Sequence, residues 1–103
     1  MNAEVPIAVL AQHATEAAAM LKLLANDQRL LLLCRLCAGE TAVGELIAHC
    51  ALSPSGVSQH LAKLRDAGVV STRRDGTTIY YSLANDDIRA LIDMLCARFG
   101  PKA

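Results

Sequence analysis

The stretch LSPSGVSQHLAKLRDA, residues 52–67, decides the fold. Ser53 is a good helix N-cap, and Pro54 in the first helical position has its φ preset and no N–H left unbonded. A helix therefore starts here. Val57, Leu61 and Leu64 recur at i, i+4 and i+7, one stripe facing a core. Ser55, Ser58, Gln59, Ala62, Lys63 and Asp66 project from the other side. Short hydroxyl and amide groups near a helix N-terminus suit base edges in a major groove, and a long cation suits phosphate. A merely solvated helix more often carries Glu and Lys at such positions.

Upstream, Val43, Leu46, Ile47 and Cys50 repeat with helical spacing between Thr41 and Ala51, and Leu52-Ser53 makes a tight link. Together these predict a helix-turn-helix over 41–67. Downstream, Val69 to Thr72 and Thr77 to Leu83 are β-rich runs on either side of Arg73-Arg74-Asp75-Gly76, where Asp-Gly is a strong hairpin signal. That predicts a wing over 69–83. Helix, turn, helix, hairpin is a winged helix-turn-helix, mainly α with a small β-hairpin, and residues 1–103 make one domain.

The flanks read as helices. Residues 7–25 are rich in Ala, with Leu10, Ala14, Ala17, Leu21 and Leu24 in near-heptad spacing that permits close approach of a second helix. Asn26-Asp27 caps a helix from Gln28 to Ala38, apolar nearly all round and ended by Gly39. The last helix runs over 86–99, capped by Asn85 or Asp86 and stopped by Gly100-Pro101. Its stripe is Ile88, Leu91, Ile92, Leu95, Cys96 and Phe99, with Arg89, Asp93 and Arg98 outside. Of the 103 residues 53% are hydrophobic but only three are aromatic, so the core is aliphatic. So much apolar surface on so short a chain predicts a homodimer, with 86–99 as a dimerisation helix, while 7–25 taken alone also fits an ordinary amphipathic helix on its own core.

Formal net charge is zero, which argues against a non-specific polyanion binder, but the charge is unevenly placed. Lys63, Arg65, Arg73 and Arg74 cluster in the motif and the wing, whereas Glu4, Glu16 and Asp27 lie near the start and Asp86, Asp87 and Asp93 near the end. If those four cations each met a phosphate in a dimer, log affinity against log salt would have a slope of roughly −7. Ser55, Ser58 and Gln59 are then the base-contacting residues, with Lys63, Arg73 and Arg74 on phosphates or in the minor groove. Double-stranded operator DNA is thus the expected partner. No basic, apolar leader opens the sequence, and no uncharged stretch is long enough to span a bilayer, which with resting thiols predicts a cytoplasmic protein without a membrane partner.

The run VGELIAHCALSPSGVSQHLAKLRDAGVVSTRRDGTTIYYSL, preceded by LLKLLANDQRLLLLCRL, resembles the ArsR/SmtB family of homodimeric bacterial repressors from Leu21 to Phe99. The resemblance implies a repressor with an input, and a first helix, 7–25, that joins 86–99 as a dimerisation helix. The Cys-x-Cys pair of arsenic sensors would fall at Ala42 and Gly44 and is missing. The last-helix set of zinc sensors is broken, with Asp87 present but Arg89 and Gly100 where His is expected. No metal ligand set and no cofactor is therefore expected. What remains resembles the persulfide- and redox-responsive branch, which carries one Cys in the second helix and one at the end of the last. Cys34 matches the first; Gly100 stands at the second place, and Cys96 is one turn earlier. The resemblance thus implies a thiol switch of Cys34 and Cys96 answering a small thiol-reactive inducer, reactive sulfur or oxidant. Stepping back to Cys96 could equally be answered by stepping on to Cys37, so the partner of Cys96 stays open.

Free Cys is among the most buried residue types, and a core role is the simplest reading of Cys50. A rival input is arsenite or another thiophilic metal(loid), which would take Cys34, Cys37 and Cys96 together. A winged helix that binds only protein would have no need of Arg73 and Arg74. An enzyme built on Cys34-Arg35-Leu36-Cys37 is disfavoured, because redox C-x-x-C pairs open a helix after a strand and this one ends an apolar helix. His13 reads as a surface residue and His49 has no ligand partner at metal spacing. His60 reads as packing at the edge of the recognition helix.

Overall fold

The computed structural model describes residues 6–49 and 53–100, without the side chain of His49. Glu4, Cys50, Ala51, Leu52 and Pro101 lie outside the described residues. The elements are α1 (Ile7–Leu24), α2 (Asp27–Cys37), β1 (Thr41–Ala42), α3 (Val43–His49), α4 (Pro54–Asp66), β2 (Val70–Asp75), β3 (Thr78–Leu83) and α5 (Asp86–Phe99). This is a winged helix-turn-helix, mainly helical, with one small antiparallel sheet in the order β1-β3-β2.

Local chemistry sets the helix starts. Asn26, Ser53 and Asn85 each stand in extended backbone and accept a hydrogen bond from the N–H three residues on, those of Arg29, Gly56 and Ile88. Asn85, rather than Asp86, is therefore the cap of α5, and Asp86 and Asp87 lie in its first turn, where the helix dipole favours anions. Val57, Leu61 and Leu64 are fully buried against Leu32, Leu33 and Leu36 of α2, Leu46 of α3 and Ile92 of α5. Gly68, at φ 75°, turns the chain out of α4 so that buried Val69 can lead into β2.

The sheet differs from the sequence expectation in two ways. The strand β1 was not foreseen: two residues are too few for a period-two signal, and only pairing with Tyr81 and Tyr80 of β3 makes Thr41 and Ala42 a strand. The hairpin is also longer. Asp75 pairs with Thr78, so the turn is Gly76-Thr77, with Gly76 at φ 66°, and Arg73 and Arg74 belong to β2 instead of the turn. Strand alternation then sends these two arginines to opposite faces. Arg74 pairs with Ile79 on the face shared with buried Tyr81 and Leu83; Arg73 pairs with Tyr80 on the outer face.

Helix α1 touches little of the rest. Only Leu24 is buried, while Ile7, Leu10 and Leu21 are 77%, 53% and 58% exposed. By length and composition alone this 18-residue helix, at mean hydropathy 1.2, could cross a membrane. It nevertheless carries Gln12, His13, Glu16 and Lys22, and its alanines suit a neighbouring helix better than lipid.

Candidate DNA interface and thiol pair

Helix α4 presents Ser55, Ser58, Gln59 and Lys63 together, all exposed, along one face. The N-cap arrangement explains why that face is ordered at its start: Gly56 donates to Ser53 Oγ at 3.0 Å, and Ser53 Oγ lies 3.3 Å from Ser55 Oγ. His60 stands half-buried at the edge, its Nδ1 3.4 Å from Arg29 Nη1. Arg29 in turn donates through Nε to the Leu23 carbonyl at 2.6 Å, so the end of α1, the start of α2 and α4 meet at one guanidinium.

On the wing, the two arginines differ. Arg73 donates from Nε and Nη2 to the two carboxylate oxygens of Glu40, at 3.0 and 2.8 Å, and its guanidinium carbon lies 4.6 Å from the centre of the Tyr80 ring. The contact follows from the pairing: Ala42 opposes Tyr80, which opposes Arg73, so Glu40, two residues before Ala42, is on the same outer face. Arg73 holds the Glu40 carboxyl below the usual carboxylate range, chiefly through this hydrogen bond. Arg74 is exposed and makes no ion pair among the described residues. Tyr80 falls in the predicted wing but its place over Arg73 was not foreseen, and Glu40 was not singled out, because only the β1 pairing brings it beside the wing.

The thiols lie on the other side, where α2 packs against α5. Cys96 Sγ donates to Cys34 Sγ, the two sulfurs lying 2.7 Å apart. Both are free and half-buried. Burial, and then the hydrogen bond with Cys96, push the Cys34 thiol up to about 12. Cys37, the alternative neighbour of Cys96, has a different partner. Burial first, and then its hydrogen bond to Asp93, raise it also to about 12. Arg89 is not simply outside, as its place in the α5 pattern suggested: it donates from Nη1 to the Cys37 carbonyl at 3.0 Å and so caps the end of α2. No group of three His, Cys, Asp or Glu among the described residues is placed to hold a metal ion.

The comparisons with known proteins agree with this architecture. Residues 26–72 match the model of the bacterial regulatory protein, arsR family. The biofilm growth-associated repressor of Agrobacterium fabrum is 45% identical over 96 residues, 93% of this chain and 82% of that protein. The transcriptional activator HlyU of Vibrio cholerae is 42% identical over 84 residues, 82% of this chain and 78% of that protein. Reduced HlyU superposes with a TM-score of 0.83 at 38% identity, over 89% of this chain and 97% of that one. A homodimeric winged helix-turn-helix DNA-binding domain from Mycobacterium bovis, solved in solution, gives a TM-score of 0.77 at 30% identity, over 95% and 89% of the two chains. These relatives are transcriptional regulators, not enzymes. The chain belongs to the ArsR family of bacterial transcriptional regulators.

Proposed function

We propose that the chain is a cytoplasmic homodimeric repressor that covers a partly palindromic operator and leaves it when the Cys34 and Cys96 thiols are modified. The observation that carries the reading is the 2.7 Å contact between two free thiols on different helices. Oxidation removes two electrons and two protons and joins α2 to α5 covalently.

The helix-turn-helix within 41–67 and the wing within 69–83 form the DNA side. Ser55, Ser58 and Gln59 read bases, and Lys63, Arg73 and Arg74 hold phosphates or the minor groove. The helices over 7–25 and 86–99 form the dimer, supported by the uncovered apolar side chains of α1 and by Met94 and Phe99 of α5, 59% and 77% exposed. A two-fold dimer presents two α4 helices to successive major grooves ~34 Å apart. Linking α2 to α5, the latter a dimerisation helix, alters that spacing, and a difference of about 1 to 3 kcal/mol between the two shapes is enough to change occupancy.

The test is fluorescence anisotropy of reduced protein on its own upstream DNA, repeated after inorganic polysulfide and then dithiothreitol. Release by the first and rebinding after the second are expected. Cys34→Ser should bind DNA normally and fail to release. Normal release of that variant would return Cys34 to the core, and a reduced protein that never binds DNA would favour a purely protein-binding winged helix.

A further inference from the structure

The Arg73 guanidinium on the wing is held on two sides. Its Nε and Nη2 donate to the Glu40 carboxylate at 3.0 and 2.8 Å, and its carbon stands over the Tyr80 ring, 4.6 Å from the centre. The backbone that carries Glu40 is itself anchored. The hydroxyl of buried Thr41 donates to the Gly39 carbonyl at 2.9 Å, and Thr41 and Ala42 pair with Tyr81 and Tyr80. A carboxylate on one strand and a ring on the next therefore fix the plane and the direction of the guanidinium. Arginine has five N–H donors in a rigid fork, and Glu40 takes two of them, which leaves three. Those three include one on Nη1 and one on Nη2 that run parallel past the tip of the side chain, the geometry that meets two oxygens of one phosphate. With the Arg73 side chain 54% exposed, more than half of it is free to meet a partner.

We propose that Glu40 and Tyr80 are positioning residues for DNA binding: together they aim the free end of Arg73 at one phosphate of the operator backbone, so that this wing contact is bidentate and requires arginine. The inference rests on the operator-binding reading and adds how the wing makes its contact. Arg74 is the contrast. It lies on the opposite face of β2 and makes no ion pair or ring contact among the described residues, so nothing there fixes its fork.

Preorganisation carries the effect. A long side chain that swings freely gives up rotamer freedom when it binds, whereas Arg73 has given it up on folding. Lysine at the same place keeps the charge and can still pair with Glu40, but one ammonium does not make two parallel hydrogen bonds to a phosphate. Glu40 also cancels the charge of Arg73 while aiming it. The contact thus adds hydrogen bonds and geometry while adding little to the release of salt ions from DNA.

The experiment is a set of double-variant cycles, read by fluorescence anisotropy of full-chain reduced protein on its own upstream DNA at one salt concentration. The quantity compared is the factor by which Arg73→Lys weakens binding. In the wild-type background it should be about tenfold, the loss of one charge-assisted hydrogen bond. In Glu40→Gln, where the amide accepts only one of the two bonds, and in Tyr80→Leu, which removes the ring, the factor should fall toward one. Tyr80→Phe keeps the ring and should return it to the wild-type value. The factor for Arg74→Lys should be the same with Glu40 and with Glu40→Gln. A factor for Arg73→Lys that is near one in wild type, or unchanged by the Glu40 and Tyr80 variants, would overturn the proposal and leave operator binding standing. A Glu40→Gln effect of equal size on Arg73→Lys and Arg74→Lys would assign it to charge instead of aim, and would overturn the proposal too. Wild-type protein that does not bind the DNA would remove the operator reading and this inference with it.

Discussion

Glu40→Gln tests how the wing meets DNA. In the unbound protein the Arg73 guanidinium already has a counter-charge, with Nε and Nη2 at 3.0 and 2.8 Å from the Glu40 oxygens. Lys63, Arg65 and Arg74 form no ion pair among the described residues. The salt dependence of DNA binding counts cations that exchange condensed salt ions for phosphates. With Arg73 countered, three cations per protomer remain fully available, so the wild-type slope of log affinity against log salt should be about −5 instead of the −7 that charge counting alone gives. Glu40→Gln removes the counter-charge and should steepen the slope to about −7. Arg74→Ala is the reference, removing one uncountered cation per protomer and flattening the slope by about 2. The assay is anisotropy of labelled operator titrated at salt concentrations from about 50 to 200 mM. A Glu40→Gln slope equal to wild type would mean that Arg73 meets no phosphate, or that Glu40 gives way on binding without consequence. Either result refutes the argument.

Gln59→Ala should weaken operator binding by ~1 to 3 kcal/mol and leave scrambled DNA unaffected, and equal loss on both would remove Gln59 from base reading. Leu61→Ala opens a cavity beneath the recognition helix at a fully buried site and should cost about 2 to 5 kcal/mol in denaturant unfolding at fixed protein concentration. Alkylation of Cys34 by iodoacetamide at neutral pH should be roughly fiftyfold slower than that of an ordinary thiol. Raising its pKa to about 12 cuts thiolate about a thousandfold, while higher basicity returns about twentyfold in nucleophilicity. The rate should climb about tenfold per pH unit between pH 8 and 11, and a plateau near pH 9 would contradict the shift. For stability the sign is the same for Cys34 and Cys37. Both hold their protons more tightly folded than unfolded, so their contribution is present below about pH 9 and is lost as pH rises toward 12.

The features that were legible in the sequence are those written within one turn of helix. Ser53-Pro54 and the Val57, Leu61, Leu64 spacing fix α4 because capping and the 3.6 period are local, and the structure buries those three side chains completely. Register was harder. Arg73 and Arg74 resemble turn residues by charge, yet an edge strand tolerates outward charge, and pairing with Tyr80 and Ile79 draws them into β2. Glu40 could not be found at all, since its relation to Arg73 runs through two strand pairings. The choice between Cys34 and Cys37 was out of reach for a similar reason. Residues three apart on a helix point only about 60° from each other, so a small rotation of α2 against α5 decides which thiol meets Cys96. In the structure that rotation faces Cys34 to Cys96 and turns Cys37 to Asp93.

In the proposed switch that arrangement would give thiol chemistry on α2 leverage over DNA reading. Through Cys34 the helix touches α5, and through Arg29 it holds the Leu23 carbonyl at the end of α1 and faces His60 on α4. Leu32, Leu33 and Leu36 lie fully buried in the core that also holds the stripe of α4. A close-packed core does not absorb a displaced helix by compressing, so it passes the displacement to its neighbours. In the proposed switch, a covalent bond between α2 and α5 would act through this core on the two proposed dimerisation helices and on the recognition helix. At Cys37, by contrast, Arg89 Nη1 already donates to the backbone carbonyl at 3.0 Å and so ties the end of α2 to α5.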